Sequence, residues 1–101
     1  MNLRIVKHAE WDMDHRAAFW ERRQVGLGRD YLLHLQEELT RLTHMAERAE
    51  HARSGGRFHR FLTRRFSVQV FYEIEDDEIV VMAVFDCREN PEEIATELRK
   101  R

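Results

Sequence analysis

The feature that most constrains this chain is a change of apolar period partway along it. Leu32, Leu35, Leu39, Leu42, Ala46 and Ala49 step by three and four residues, one stripe along a helix of about five turns. Glu37, Glu38, Arg41, Glu47 and Arg48 are read as lying off that stripe. The stripe is assigned to a core-facing helix, because so few heptads with no recurring charge code do not specify a coiled coil. Ser54-Gly55-Gly56 ends the helical half, and beyond it the period becomes two. Phe66, Val68, Val70, Tyr72 and Ile74 fall on one strand face; Ser67, Gln69, Phe71, Glu73 and Glu75 fall on the other. Glu75-Asp76-Asp77-Glu78 reads as a charged hairpin turn, and the apolar run Ile79 to Phe85 as a central strand covered on both faces. Arg57 to Leu62 is a weaker preceding strand, so three strands with short turns make a meander.

The remaining segments complete an α+β plan. Leu3 to Lys7 alternates as a short strand, with Leu3 and Ile5 toward a core and Arg4 away from it. Ala9, Met13, Ala17 and Trp20 share a helical face, with Asp12, Asp14, Glu21, Arg22 and Arg23 as its polar remainder. Gly26 and Gly28 close that helix and open the next, which predicts a helical hairpin. Asn90 is a suitable N-cap with Pro91 at the first helical position, but Ile94 and Leu98 are the only apolar anchors of this last helix. A short and loosely held terminal helix is therefore expected. The fold expected is a single domain over residues 1–101. It has an N-terminal strand, a long helical hairpin packed on a three- to four-stranded antiparallel sheet, and a short C-terminal helix.

Composition narrows the chemistry. Seventeen Lys and Arg stand against nineteen Asp and Glu, a formal net charge of −2, so bulk charge does not favour a non-specific nucleic-acid coat. The single Cys87 excludes an internal disulfide and a cysteine-based zinc site, and is read as incidental. No apolar run approaches a membrane span, and the start Met1-Asn2-Leu3-Arg4 lacks the apolar region of a signal peptide. The cytoplasm is the expected setting, with no membrane partner.

Against this background Arg57, His59, Arg60, Arg64 and Arg65 form a basic stretch with no acid before Tyr72. Arginine forks bind phosphate, and His59 can exchange a proton near neutral pH. Such a stretch makes a surface for RNA phosphate or an acidic peptide; equally, it makes a solvated strand edge that charge keeps from aggregating. His44, Glu47 and His51 share a helix face, but two turns separate the histidines, too far for one ion. Trp11, Phe19 and Trp20 are read as core rather than binding groove, some of them roofing the sheet. No cofactor and no metal are expected.

Four stretches, in order, carry a resemblance to the RelE/ParE superfamily of toxins from type II toxin–antitoxin systems. An opening strand runs into Ala9-Glu10-Trp11-Asp12; Gly28 opens a long leucine-periodic helix; Arg64-Arg65-Phe66-Ser67 leads an apolar strand through Tyr72 to Ile74; and Ile79 to Phe85 runs into Asp86-Cys87-Arg88-Glu89-Asn90-Pro91. The chain departs from that pattern at Ser67, where many members carry Pro, and at Asp86, where many carry His. Its slightly acidic balance is a further departure.

The resemblance implies a growth-inhibiting, plasmid-stabilising toxin silenced by a cognate antitoxin. The RelE-like branch is a ribosome-dependent mRNA endonuclease; on that reading the catalytic set is Arg60, Arg64, His59, Tyr72 and Arg88. The ParE-like branch poisons DNA gyrase by binding, and Arg57, Arg60, Arg64, Arg65 and Arg88 then meet the antitoxin or target. Three features favour the ParE-like, non-enzymatic branch: a cluster without lysine, Asp86 where a cation is wanted, and Tyr72 on a core-like face. A degraded toxin retained only as a binding partner is the third reading.

Overall fold

The computed structural model describes residues 1–48 and 58–101. Strand β1 (Asn2–Ile5) leads into helices α1 (Lys7–Arg23) and α2 (Leu27–Arg48). Strands β2 (His59–Leu62), β3 (Val68–Glu75) and β4 (Glu78–Asp86) follow, then helix α3 (Pro91–Arg99). One sheet has the order β1-β4-β3-β2. The meander β2-β3-β4 is antiparallel as the alternation predicts, whereas β1 joins β4 in parallel, making the sheet mixed. Two reversals between β2 and β4 leave β1, β2 and β4 pointing the same way.

The β3–β4 connection is a two-residue turn. Asp76 and Asp77 have φ of 47° and 67°, both left-handed, as a type I′ hairpin requires. Further along this pair Phe71 faces Ala83 and Tyr72 faces Val81, so Met82 is the extra residue of a bulge. The bulge shifts the phase of β4. Ile79, Val81 and Val84 face the helical hairpin, while Ala83 packs with Phe58, Phe71 and Ile94 on the α3 side. Burial on both faces explains the almost continuous apolar run of this central strand.

Leu35, Leu39, Leu42 and Ala46 of α2 are buried in one cluster with Val68, Val70 and Tyr72, as the stripe predicts, and Leu32 packs at its margin. Ala49 and the Ser54-Gly55-Gly56 break lie outside the described residues. Gly28 stands where the helices come closest. A Cβ there would lie 2.6 Å from the Ala17 carbonyl oxygen. The Glu21 carboxylate accepts from the Gly26 and Gly28 amides at 3.0 and 3.1 Å, covering donors that the start of α2 leaves open.

Four expectations change. Glu38 is fully buried on the α2 core face rather than off the stripe. Trp11 is 58% exposed and outside the core, while Trp20 packs against it. Phe66 and Ser67 do not begin the strand; they form a left-handed turn with φ of 62° and 50°. The terminal helix is firmly held. Asn90 caps it by accepting from the Glu92 amide at 2.8 Å, Ile94 is buried, and Arg101 reaches back to Asp12. The third attachment is an ion pair from beyond the helix, so counting apolar anchors understated the hold.

Candidate functional site

The β2–β3 turn and the segment after β4 lie side by side at one end of the sheet. Val68 pairs with Asp86, and the Cys87 amide donates to the Ser67 carbonyl at 2.7 Å. The turn itself is tied at several points. Thr63 Oγ1 donates to the Arg65 carbonyl at 2.6 Å and accepts from the Val68 amide at 3.2 Å. The left-handed Phe66 is uncommon for a bulky residue. Its ring is held by packing, 5.4 Å from Trp20 and 5.6 Å from Tyr31.

Guanidinium groups and aromatic rings interleave here. Arg16 lies 4.0 Å from the centroid of Phe19, Arg88 lies 5.6 Å from Trp20, and Arg65 lies 4.9 Å from Phe66. Beneath them is Asp86, whose side chain is 1% exposed. One oxygen accepts from the Arg88 amide at 2.8 Å and Nε at 2.9 Å; the other accepts from Arg88 Nη2 at 2.8 Å and Arg16 Nη2 at 2.6 Å. Burial alone would raise the Asp86 pKa, but these bonds from Arg88 and Arg16 outweigh it and hold the carboxyl well below the usual range.

A second buried carboxylate sets the turn from the other side. Glu38 accepts from Arg41 Nε at 2.6 Å, and from the Arg64 amide at 2.8 Å and Nε at 3.1 Å. His34 Nε2 stands 3.3 Å from the same carboxylate. Burial pushes the Glu38 pKa up, the arginine bonds pull it further down, and it falls to about 2.

The predicted residues therefore separate. Arg64, Arg65 and Arg88 belong to this end of the sheet. Arg60 is on the opposite face, lining a groove of about 420 Å³ with Leu62, Gln69, Cys87, Ile94 and Leu98. His59 and Tyr72 are buried under the helical hairpin, stacked with centroids 5.1 Å apart, and burial raises the Tyr72 pKa. Arg57 lies outside the described residues, as does His51. His44 is exposed, and among the described residues no group of His, Cys, Asp or Glu is placed to hold a metal ion. Cys87 is exposed, and its pKa is raised by partial burial and by Asp86.

Arg16, Asp86 as a ligand of arginines, and the pair Glu38 and His34 were not assigned to the site from the sequence. Two signals point to them. Glu38 is three residues after Leu35 and four before Leu42, so helical geometry puts it on the apolar face. Arg16 follows Asp12 by one turn beside the Ala9, Met13, Ala17 stripe.

Among the described residues no helix is long and apolar enough to cross a membrane. The sequence matches no family model and no curated protein. The fold matches a chain from a solved structure described as "Chromosomal ParDE TA system from P. aeruginosa". The match covers 85% of this chain and 95% of that chain, with a TM-score of 0.68 at 14% sequence identity. At that identity the likeness is one of fold.

Proposed function

We propose that the chain is the toxin of a type II toxin–antitoxin system, acting in the ParE-like manner by binding DNA gyrase and neutralised by a cognate antitoxin. The fold shared with a chain of the ParDE system supports the toxin assignment. The non-enzymatic mode is carried by one observation. The two proton-transfer candidates, His59 and Tyr72, are buried as a stacked pair beneath the hairpin, apart from the arginine end of the sheet. A nuclease needs an acid or base within hydrogen-bond reach of the reacting atoms, close to the cations that hold the phosphate. A poison that binds a protein needs a shaped surface with aromatic and arginine anchors, which Phe19, Trp20, Phe66, Arg65 and Arg88 supply.

The test is one purified protein in two assays. Gyrase supercoiling is followed with trapping of cleaved DNA, and mRNA cleavage is followed on programmed ribosomes. Inhibition of gyrase with ribosomes untouched is expected. Ribosome-dependent cuts abolished by Arg64→Ala or His59→Ala would instead establish the RelE-like endonuclease. Silence in both assays, with normal growth on induced expression, would leave a toxin fold retained only as a binding partner.

A further inference from the structure

We propose that Asp86 is an internal counter-anion that bars nucleic acid from the arginine end of the sheet, and so determines which class of partner that surface accepts. The inference goes beyond the gyrase reading and does not depend on it.

An arginine binds a phosphate through two parallel N–H groups of its fork. Arg88 already spends that fork, Nε and Nη2, on the two oxygens of Asp86 at 2.9 and 2.8 Å. Its own amide, 2.8 Å from Oδ1, fixes the loop in the same grip. Arg16 completes the set at 2.6 Å, with its guanidinium carbon 4.0 Å from the Phe19 centroid. Asp86 thus sits where a bound oxyanion would sit, supplied by the chain itself and enclosed to 1% exposure. A phosphate competing for Arg88 meets a fixed negative charge behind the fork and cannot displace it, because Asp86 is held in β4.

Glu38 engages Arg64 less completely, through its Nε at 3.1 Å and its amide, with the rest of the guanidinium open to solvent. Arg65 differs, since it makes no ion pair among the described residues and stacks on Phe66. The surface keeps arginine planes and aromatic rings, which suit a protein partner, while Asp86 and Glu38 offset part of its formal charge from within.

Counterion release makes this measurable. Each cation that meets a single-stranded phosphate steepens the fall of log K with log salt by about 0.7. The experiment measures binding of a labelled oligouridylate across a salt series. The native protein is compared with Asp86→Asn, with Asp86→Asn combined with Arg88→Gln, and with Arg65→Gln and Arg88→Gln alone. Asn keeps the shape of Asp86 and removes its charge. Asp86→Asn is expected to bind on the order of tenfold tighter at low salt, with a slope steeper by about 0.7 to 1.4, and Arg88→Gln in that background to reverse most of the gain. A folded Asp86→Asn protein with native affinity and slope overturns the proposal. If Asp86→Asn does not fold, the native background decides. Arg65→Gln should then flatten the slope by about 0.7 and Arg88→Gln should leave it in place. Equal losses from the two would refute the counter-anion role. Because the readout is RNA affinity, a protein inactive on gyrase can still pass or fail.

Discussion

Arg101 closes on Asp12 from the far end of the sequence. Its Nη1 and Nη2 stand 2.6 and 3.0 Å from the two carboxylate oxygens, and the side chains are 5% and 4% exposed. Both partners also hold β4 where β1 no longer covers it. Register with β1 ends at Val81; Asp12 then accepts from the Val84 amide at 3.0 Å, and Arg101 donates to the Met82 carbonyl at 3.2 Å. One ion pair thus satisfies the backbone of the bulge and ties α1, β4 and the segment after α3 together.

Breaking that pair leaves a buried charge without its partner. Arg101→Ala should cost about 3–5 kcal/mol of unfolding free energy by urea titration. Arg101→Leu with Asp12→Leu should cost less than the sum of the two single changes. Additive losses would mean that the pair acts only through independent packing.

The hairpin depends on the missing side chain at Gly28. Gly28→Ala puts a methyl group 2.6 Å from a backbone oxygen of α1, so the helices must separate, at a cost of about 1–3 kcal/mol. Gly26→Ala meets nothing within 4 Å and is opposed only by its φ of 90°, a cost of about 1–2 kcal/mol. Thermal unfolding separates the two mechanisms if a longer side chain at each site is added. The penalty should grow with size at Gly28 and stay level at Gly26.

The backbone at Ser67 makes Pro unsuited to that position. Its φ is 50°, while a proline ring fixes φ near −65°. Ser67→Gly should stabilise the protein by up to about 1 kcal/mol by relieving the left-handed strain. Ser67→Pro should destabilise it and loosen the turn that carries Arg64 and Arg65, visible as faster amide exchange at Val68 and Cys87. A Pro variant as stable as the native protein would contradict the observed turn.

Glu38 gives the acid limb of stability its direction. Its carboxyl titrates near 4.5 when unfolded and at about 2 when folded, so the folded state favours the charged form. The contribution is fully present above pH 4.5 and is lost as the pH falls from there toward 2. A depression of that size corresponds to roughly 3 kcal/mol. Glu38→Gln should be less stable at neutral pH and lose less on acidification than the native protein. Denaturant midpoints measured between pH 7 and pH 2.5 would show it, and parallel curves would exclude it.

The period of the apolar residues determined most of this architecture without any tertiary knowledge. A stripe at three and four can bury one face only as a helix, and an alternating run only as a strand, so Leu35 to Leu42 had to lie over Val68 to Tyr72. Asn90-Pro91 likewise fixed the start of α3, because cap and ring act on their own backbone. What local pattern cannot state is which distant charge a charge will meet. Nothing in the chain names the partners of Asp12, Glu38 and Asp86, yet the fold buries each against arginines, with Arg101, Arg64 and Arg16 coming from 89, 26 and 70 residues away. The same holds for His59 and Tyr72, which chemistry nominates as proton carriers and the β2–β3 register buries side by side. Periodicity is a property of neighbours along the chain, whereas ion pairing and solvent exposure are properties of neighbours in space. For that reason the scaffold was legible in the sequence, and only the tertiary structure decided which of its arginines are already bound from within.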